Sequence, residues 1–428
     1  MSCRIPARSF LIAASIASTV IFAQDSPLFH FVEMPGPHHV GLKVVEQYDY
    51  SRTYRRATDD LGKIYQGERA RPLQTLVWYP AEHGSVKPMT VGDYGKLWAT
   101  ETGFEHPSMQ AEAKEWLSAM NPTLEMPLWA VRDAPAVSGR FPIVIYAPGA
   151  SNMSWDNADL CEYLASFGYV VIASPTMGAT TREMTTDLAG IDAQARDISF
   201  LLGYARTLAN ADMSRVAVMG FSWGGISNLF AAARDDRIGA LVALDGSMRY
   251  FPRLVQQAGD VHPEQMTIPL LYLSQGELTI EDQERYLGAG QLNAPSVLNA
   301  WIHGDLITVH MSGLVHEEFS SMYQRNEDMW KDFHQPQGAD SQKAEYGRED
   351  GITGYSWIAR YTLAFLDTYL KHDEAAMTFL KKTPAQNGAP RHFMTVSYRA
   401  ATGVDRSNVE IKRKLTESDD SARAVHRP

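Results

Sequence analysis

Cysteine is almost missing from this chain: 428 residues hold two, Cys3 and Cys161. Cys3 lies in a leading segment read below as a removable signal, which leaves Cys161 without an intramolecular partner, so the fold must hold without disulfides. Cys161 itself falls in the helical run DLCEYLASFG beside Leu160 and Leu164, the setting of a small buried hydrophobe rather than of a reactive thiol. Long basic runs are also absent and the formal net charge is -11. Nucleic-acid affinity rests on neutralising many phosphates, so no nucleic-acid partner is expected. Neither a G-x-G-x-x-G fingerprint nor a P-loop occurs, and His38-His39 and the pair His303 and His310 lack zinc-ligand spacing. No metal and no cofactor is expected. There is no internal repeat and no low-complexity block.

Only the first residues carry a continuous apolar stretch of targeting type. Arg4 and Arg8 precede Phe10 to Phe22, and the stretch ends near Ala23. It is short for a bilayer span and has no lipobox-like cysteine at its end. Residues 1–23 are therefore read as a signal peptide, with a secreted or periplasmic product and no stable membrane span after its removal.

What remains is rich in core-forming residues, 45% hydrophobic overall, enough for one large core or two medium ones. From Leu42 to Tyr79 the runs LKVVEQYDY and PLQTLVWYP read as antiparallel edge strands. Between residues 92 and 137 the character turns helical and aromatic, with Trp98, Phe104, Met109, Trp116, Met120, Met126 and Trp129. This segment reads as an insertion rather than core, either a cap over a site or a helical pair on the sheet flank. From Phe141 onward, short apolar runs alternate with helical patterns: PIVIYA, YVVIAS, RVAVMG, ALVALD, PLLYLS and LITVHM. Such alternation is the mark of parallel βαβ units. The fold class expected is α/β, a mostly parallel twisted sheet with helices on both faces. A last helix near Tyr355 to Lys371 closes one face, giving a domain over residues 24–383 and a weakly ordered tail over 384–428.

The run RVAVM leads directly into Gly220-Phe221-Ser222-Trp223-Gly224, and the helical ISNLFAAAR follows. G-x-S-x-G between a strand and a helix describes a nucleophile elbow, in which a strained turn lifts a serine hydroxyl clear of the sheet. The flanking residues must be small because the strand and helix backbones pass close together. The turn also places the Trp223 N–H at a helix N-terminus, suited to hold a developing oxyanion. A second such donor is expected from the loop after YAPGAS, where Gly149 allows close approach and Ala150 or Ser151 presents its N–H. The letters Asn152-Met153-Ser154 form a glycosylation sequon, read as accidental because a glycan beside this loop would obstruct it.

A serine hydroxyl needs a histidine to take its proton and a carboxylate to orient that histidine. With Ser222 first in chain order, acid and then base should follow. Asp245 ends ALVALD and stands at the carboxyl end of the next strand, where ligands bind in open α/β sheets. Glu277 in LLYLSQGE is its rival and Asp282 a more distant one. His316, in the glycine-containing SGLVHEEF after LITVHM, is the favoured base over His310 and His303.

These segments, GFSWGG, VALDGSM, IPLLYLSQGE and SGLVHEEF, resemble the plasma-type platelet-activating-factor acetylhydrolase and dienelactone hydrolase-like branch of the α/β-hydrolases, over roughly Gly41 to Lys371. The resemblance implies an α/β-hydrolase fold and a serine esterase acting on a small-molecule or lipid ester. It also selects Asp245 over Glu277 as the acid and His316 as the base. Two departures stand out. Dienelactone hydrolases proper use cysteine where this chain has Ser222, and the acetylhydrolase pattern carries an aromatic shortly after the acid where this chain has Gly246-Ser247-Met248. The same residues also fit a peptidase or amidase, since an acyl intermediate is common to all three, and a silent member of the fold would act as a binding protein.

Overall fold

A computed structural model describes residues 28–59, 61–104, 109–276, 293–333 and 346–403. The segment read as a signal peptide, residues 1–23, and the rivals Glu277 and Asp282 lie outside the described residues. Among the described residues, ten strands form one mixed sheet. They are β1 (His39–Thr53), β2 (Ala70–Ala81), β3 (Ala130–Arg132), β4 (Phe141–Ala147), β5 (Val170–Ala173), β6 (Ala211–Phe221), β7 (Ala240–Leu244), β8 (Leu270–Gln275), β9 (Leu306–Met311) and β10 (Met394–Arg399). Their order is β10-β9-β8-β7-β6-β4-β5-β2-β1-β3.

The centre, β5-β4-β6-β7-β8-β9, is parallel throughout. Each of the six apolar runs of the sequence supplies one of these strands. The reason is visible in their burial: Ile143, Ile145 and Ala147 of β4 enter one core, while Val144 and Tyr146 enter the other. A strand covered on both faces has no solvent side and therefore reads as continuously apolar. On one face lie the helices Leu188–Ala205 and Trp223–Arg234; on the other lie Ala158–Ser166 and the long helix Arg348–Leu370. The long helix starts earlier than the expected Tyr355, because Gly347 N–H donates to the Asp350 side chain at 2.8 Å and anchors a polar first turn. Cys161 is fully buried in its helix.

The pair β1 and β2 is antiparallel, as the alternation implies, but only β1 lies near the edge. β2 pairs with β5 on its other side and every residue in it is buried.

The segment 92–137 takes one of its two expected arrangements, and the C-terminal boundary differs from the expectation. The segment 92–137 folds as short helices, including Gln110–Ala119, followed by β3, and it sends Tyr94, Met120, Leu128 and Ala130 into the main core. Tyr94 accepts from Trp78 Nε1 at 2.8 Å and donates to Glu162 at 2.6 Å, while Trp116 packs edge-on against Trp155. The segment thus packs on the sheet flank, because aromatic side chains with a polar end are buried where that end finds a partner. The region beyond Pro384 is not a weakly ordered tail throughout: β10 pairs with β9 in register, Met394 opposite Met311 and Arg399 opposite Leu306. A short strand of alternating polar residues has little apolar signal, and it is the open edge of β9 that gives its backbone groups partners.

No helix of the described residues is long and apolar enough to cross a membrane. Among them, no group of three or more His, Cys, Asp or Glu is placed to hold a metal ion.

Candidate active site

The carboxyl ends of the parallel strands form one rim, and each of the expected site residues sits on it. Ser222 follows β6 and precedes the helix Trp223–Arg234. Its backbone is left-handed, φ 53° and ψ -120°, an unfavourable state for a residue with a Cβ. The turn is held from both sides. Ser222 N–H donates to Leu244 O at 3.1 Å, and Ser222 O accepts from Gly225 N–H at 3.0 Å and Ser247 N–H at 2.8 Å.

The surrounding glycines are required by space rather than by dihedral angle. A Cβ on Gly220 would come within 2.5 Å of Gly224 and of the Asn228 side chain, and one on Gly225 within 2.6 Å of Gly246. On Gly224 it would run into the carbonyl oxygens of Ala147 and Pro148 at the end of β4. Glycine is thus demanded on both sides of the nucleophile turn, as the elbow pattern implies.

Asp245 follows β7, fully buried and also left-handed at φ 43°. His316 opens the turn His316–Phe319 after β9. The three side chains meet in line: His316 Nε2 lies 2.9 Å from Ser222 Oγ, and His316 Nδ1 lies 2.6 Å from Asp245 Oδ2. An ionised carboxylate can only accept, so the Nδ1 position carries the proton and Nε2 is left to accept from the serine hydroxyl. The other carboxylate oxygen accepts from Tyr250 OH at 2.9 Å and from the Gln275 N–H at 3.2 Å. Phe221 stacks on the imidazole with ring centroids 4.9 Å apart.

Burial works against a charged imidazole. The hydrogen bond and charge of Asp245, with Glu317 adding to them, outweigh it and raise the His316 pKa above the ordinary histidine value. The other two histidines are elsewhere. His310 lies within β9 beside Ser274, and burial lowers its pKa, while His303 faces the Thr402 carbonyl at 2.8 Å.

Trp223 is the first residue of its helix, so its N–H has no acceptor within that helix. Ala150 lies in the loop after β4, on the same rim. That loop is tied by Asp156, which accepts from Tyr146 OH at 2.6 Å, Asn152 Nδ2 at 2.9 Å and Gly149 N–H at 3.4 Å. Complete burial of Asp156 pushes its carboxyl up to about 7 despite these bonds. Asn152 is buried, its Nδ2 donating to Asp156 and its Oδ1 accepting from Tyr323 OH.

Tyr250, Gln275, Asp156, Glu101 and Arg182 were not singled out by sequence. Gln275, Glu101 and Arg182 act through partners 30 or more residues away, and Tyr250 and Asp156 bond within about ten residues but carry no motif that marks them.

Comparison with known proteins gives three likenesses. A family model described as Chlorophyllase matches residues 99–247. A protein described as a putative carboxymethylenebutenolidase from Methylorubrum extorquens is 28% identical over 148 residues, which is 32% of this chain and 48% of that protein. The chain thus matches about half the length of that curated relative. A solved structure, ferulic acid esterase from Streptomyces cinnamoneus, is similar with a TM-score of 0.54 and 19% identity, over 86% of this chain and 98% of that one. Strand order, elbow and structural likeness together show that this chain has the α/β-hydrolase fold.

Proposed function

We propose that this protein hydrolyses carboxylic esters through an acyl-enzyme intermediate, with Ser222 as nucleophile, His316 as general base and acid, and Asp245 as the orienting carboxylate. The observation that carries the reading is the continuous hydrogen-bonded line from Ser222 Oγ through His316 to Asp245, 2.9 and 2.6 Å long at its two links. The likeness to a chlorophyllase family model and to a carboxymethylenebutenolidase supports an ester over an amide.

His316 Nε2 removes the hydroxyl proton as Ser222 Oγ attacks the ester carbonyl. The tetrahedral oxyanion is held by the N–H groups of Trp223 and Ala150. Collapse expels the alcohol, which takes the proton back from His316, and leaves an ester on Ser222. Water then repeats both steps in reverse roles and frees the acid. Asp245 remains ionised throughout and stabilises the imidazolium. Beside the nucleophile, Trp223 and Phe251 face each other at 4.8 Å, an apolar wall suited to a hydrophobic acyl or alcohol group.

The test is a screen of the purified protein against chromogenic esters of graded acyl length and the matching anilides, with Ser222→Ala as control. Expected are ester turnover, fluorophosphonate labelling of Ser222, and a loss of about four to six orders of magnitude in the variant. Turnover unaffected by Ser222→Ala would refute the assignment, and faster cleavage of the anilide would turn it into an amidase.

A further inference from the structure

The loop after β4 must present its Ala150 N–H in one direction, yet the next residue resists the required backbone. Ser151 is left-handed at φ 56°, where a residue bearing a Cβ does not settle by itself. Something has to hold it. Two contacts do so: Arg182 Nη1 donates to Ser151 O at 3.0 Å and Met184 N–H donates to Ser151 Oγ at 2.8 Å, while the same Nη1 is steadied by a second bond to Thr176 O at 2.9 Å.

Arg182 is in turn fixed by Glu101, whose Oε2 accepts from Nε at 3.0 Å and from Nη2 at 2.7 Å. The Glu101 side chain is fully buried and that of Arg182 is 9% exposed. Glu101 belongs to the segment between residues 92 and 137, outside the parallel core that carries Ser222 and Asp245. Burying an ion pair is expensive, and a merely space-filling contact here would be met as well by apolar side chains. Burial indeed raises the Glu101 carboxyl pKa, against the opposing pull of Arg182. What an apolar pair could not supply is direction: the planar guanidinium aims one nitrogen at two backbone carbonyls while two others are locked on a carboxylate.

We propose that the Glu101–Arg182 pair is a positioning device for the oxyanion site, holding Ser151 so that the Ala150 N–H faces the developing charge on the substrate. It rests on the ester-hydrolase reading for its consequence, though not for its geometry. The flank segment then has a function: it delivers Glu101 to the catalytic rim.

Two variants test this, Glu101→Gln, which keeps shape and an acceptor oxygen, and Arg182→Lys, which keeps charge but lacks the planar fork. The first readout needs no activity. Hydrogen exchange over a peptide covering residues 148–154 is expected to quicken at least about tenfold in both variants while melting stays cooperative. The second readout compares an oxo-ester with its thiono counterpart, because a site aimed at oxygen favours a negative oxygen over a larger sulfur. Loss of one oxyanion donor costs about a hundred- to a thousandfold in kcat. A loosened donor is therefore expected to lower oxo-ester kcat by about ten- to a hundredfold, with KM within about threefold and the thiono-ester nearly unaffected. Equal falls on both esters, unchanged exchange, or loss of cooperative folding in both variants would overturn the proposal and leave the pair structural. If the wild type cleaves neither ester and Ser222 resists fluorophosphonate, the esterase reading fails instead, and the exchange readout still decides whether the pair holds the loop.

Discussion

Replacing Asp245 by Asn isolates the role of one carboxylate, because all of its partners are donors. His316 Nδ1 at 2.6 Å faces one oxygen, and Tyr250 OH at 2.9 Å with the Gln275 N–H at 3.2 Å face the other. Asparagine has a single acceptor oxygen, so its NH2 group must confront one side. The Tyr250 hydroxyl can rotate to accept, but the Gln275 amide is fixed in the backbone at the end of β8 and can only donate. The oxygen therefore turns to Gln275 and the NH2 to His316, which forces the imidazole to carry its proton on Nε2. In that tautomer it cannot accept from Ser222. The same substitution in the Ser-His-Asp template of serine proteases costs about 10⁴ in kcat. At about 1.4 kcal/mol per decade this is about 5.5 kcal/mol of transition-state stabilisation. The assay is kcat for a chromogenic ester with a melting curve on the same sample. A loss under about tenfold in a folded variant would refute the tautomer argument. A large loss in Glu277→Gln, with little in Asp245→Asn, would move the acid to Glu277.

Two further outcomes follow from the same geometry and a third from the sequence. With the His316 pKa raised, the imidazole is protonated and unable to accept a proton at low pH. The acidic limb of kcat/KM should then lie above about 6.5 and activity should fall as pH drops through it. Asp245→Asn should move that limb to lower pH, and a limb below about 6 in the wild type would contradict the sign. Gly224→Ala drives a Cβ into the Ala147 and Pro148 carbonyls, an overpacking that typically costs about 1–3 kcal/mol, so melting temperature and fluorophosphonate labelling of Ser222 should both fall. Unchanged values of both would show that the elbow has room to spare. Finally, the exported form should have lost residues 1–23, which the intact mass of protein from a secreting host measures directly; a full-length mass would remove the signal-peptide reading.

The sequence by itself was decisive where chemistry is local. Each parallel strand buries both faces and so leaves a continuous apolar run, and the elbow needs glycine within two residues of Ser222 on either side, a pattern that five adjacent letters contain. Chain order and position at the strand ends favoured His316 over His310 and His303 and placed Asp245 before Glu277, and the resemblance selected the same pair. Spacing could not show the contact itself, because the bonds that join Ser222, Asp245 and His316 span 94 and 71 residues and exist only once β6, β7 and β9 lie in one parallel sheet. The same holds for Gln275 beside the acid, 30 residues from it, for Arg182, 31 residues from Ser151, and for Glu101, which arrives 81 residues before its partner. β10 depended wholly on the open edge of β9 for its hydrogen bonds. Local pattern records which side chains must be buried or small; which polar groups then face each other is set by strand order and loop path, and those are properties of the folded chain alone.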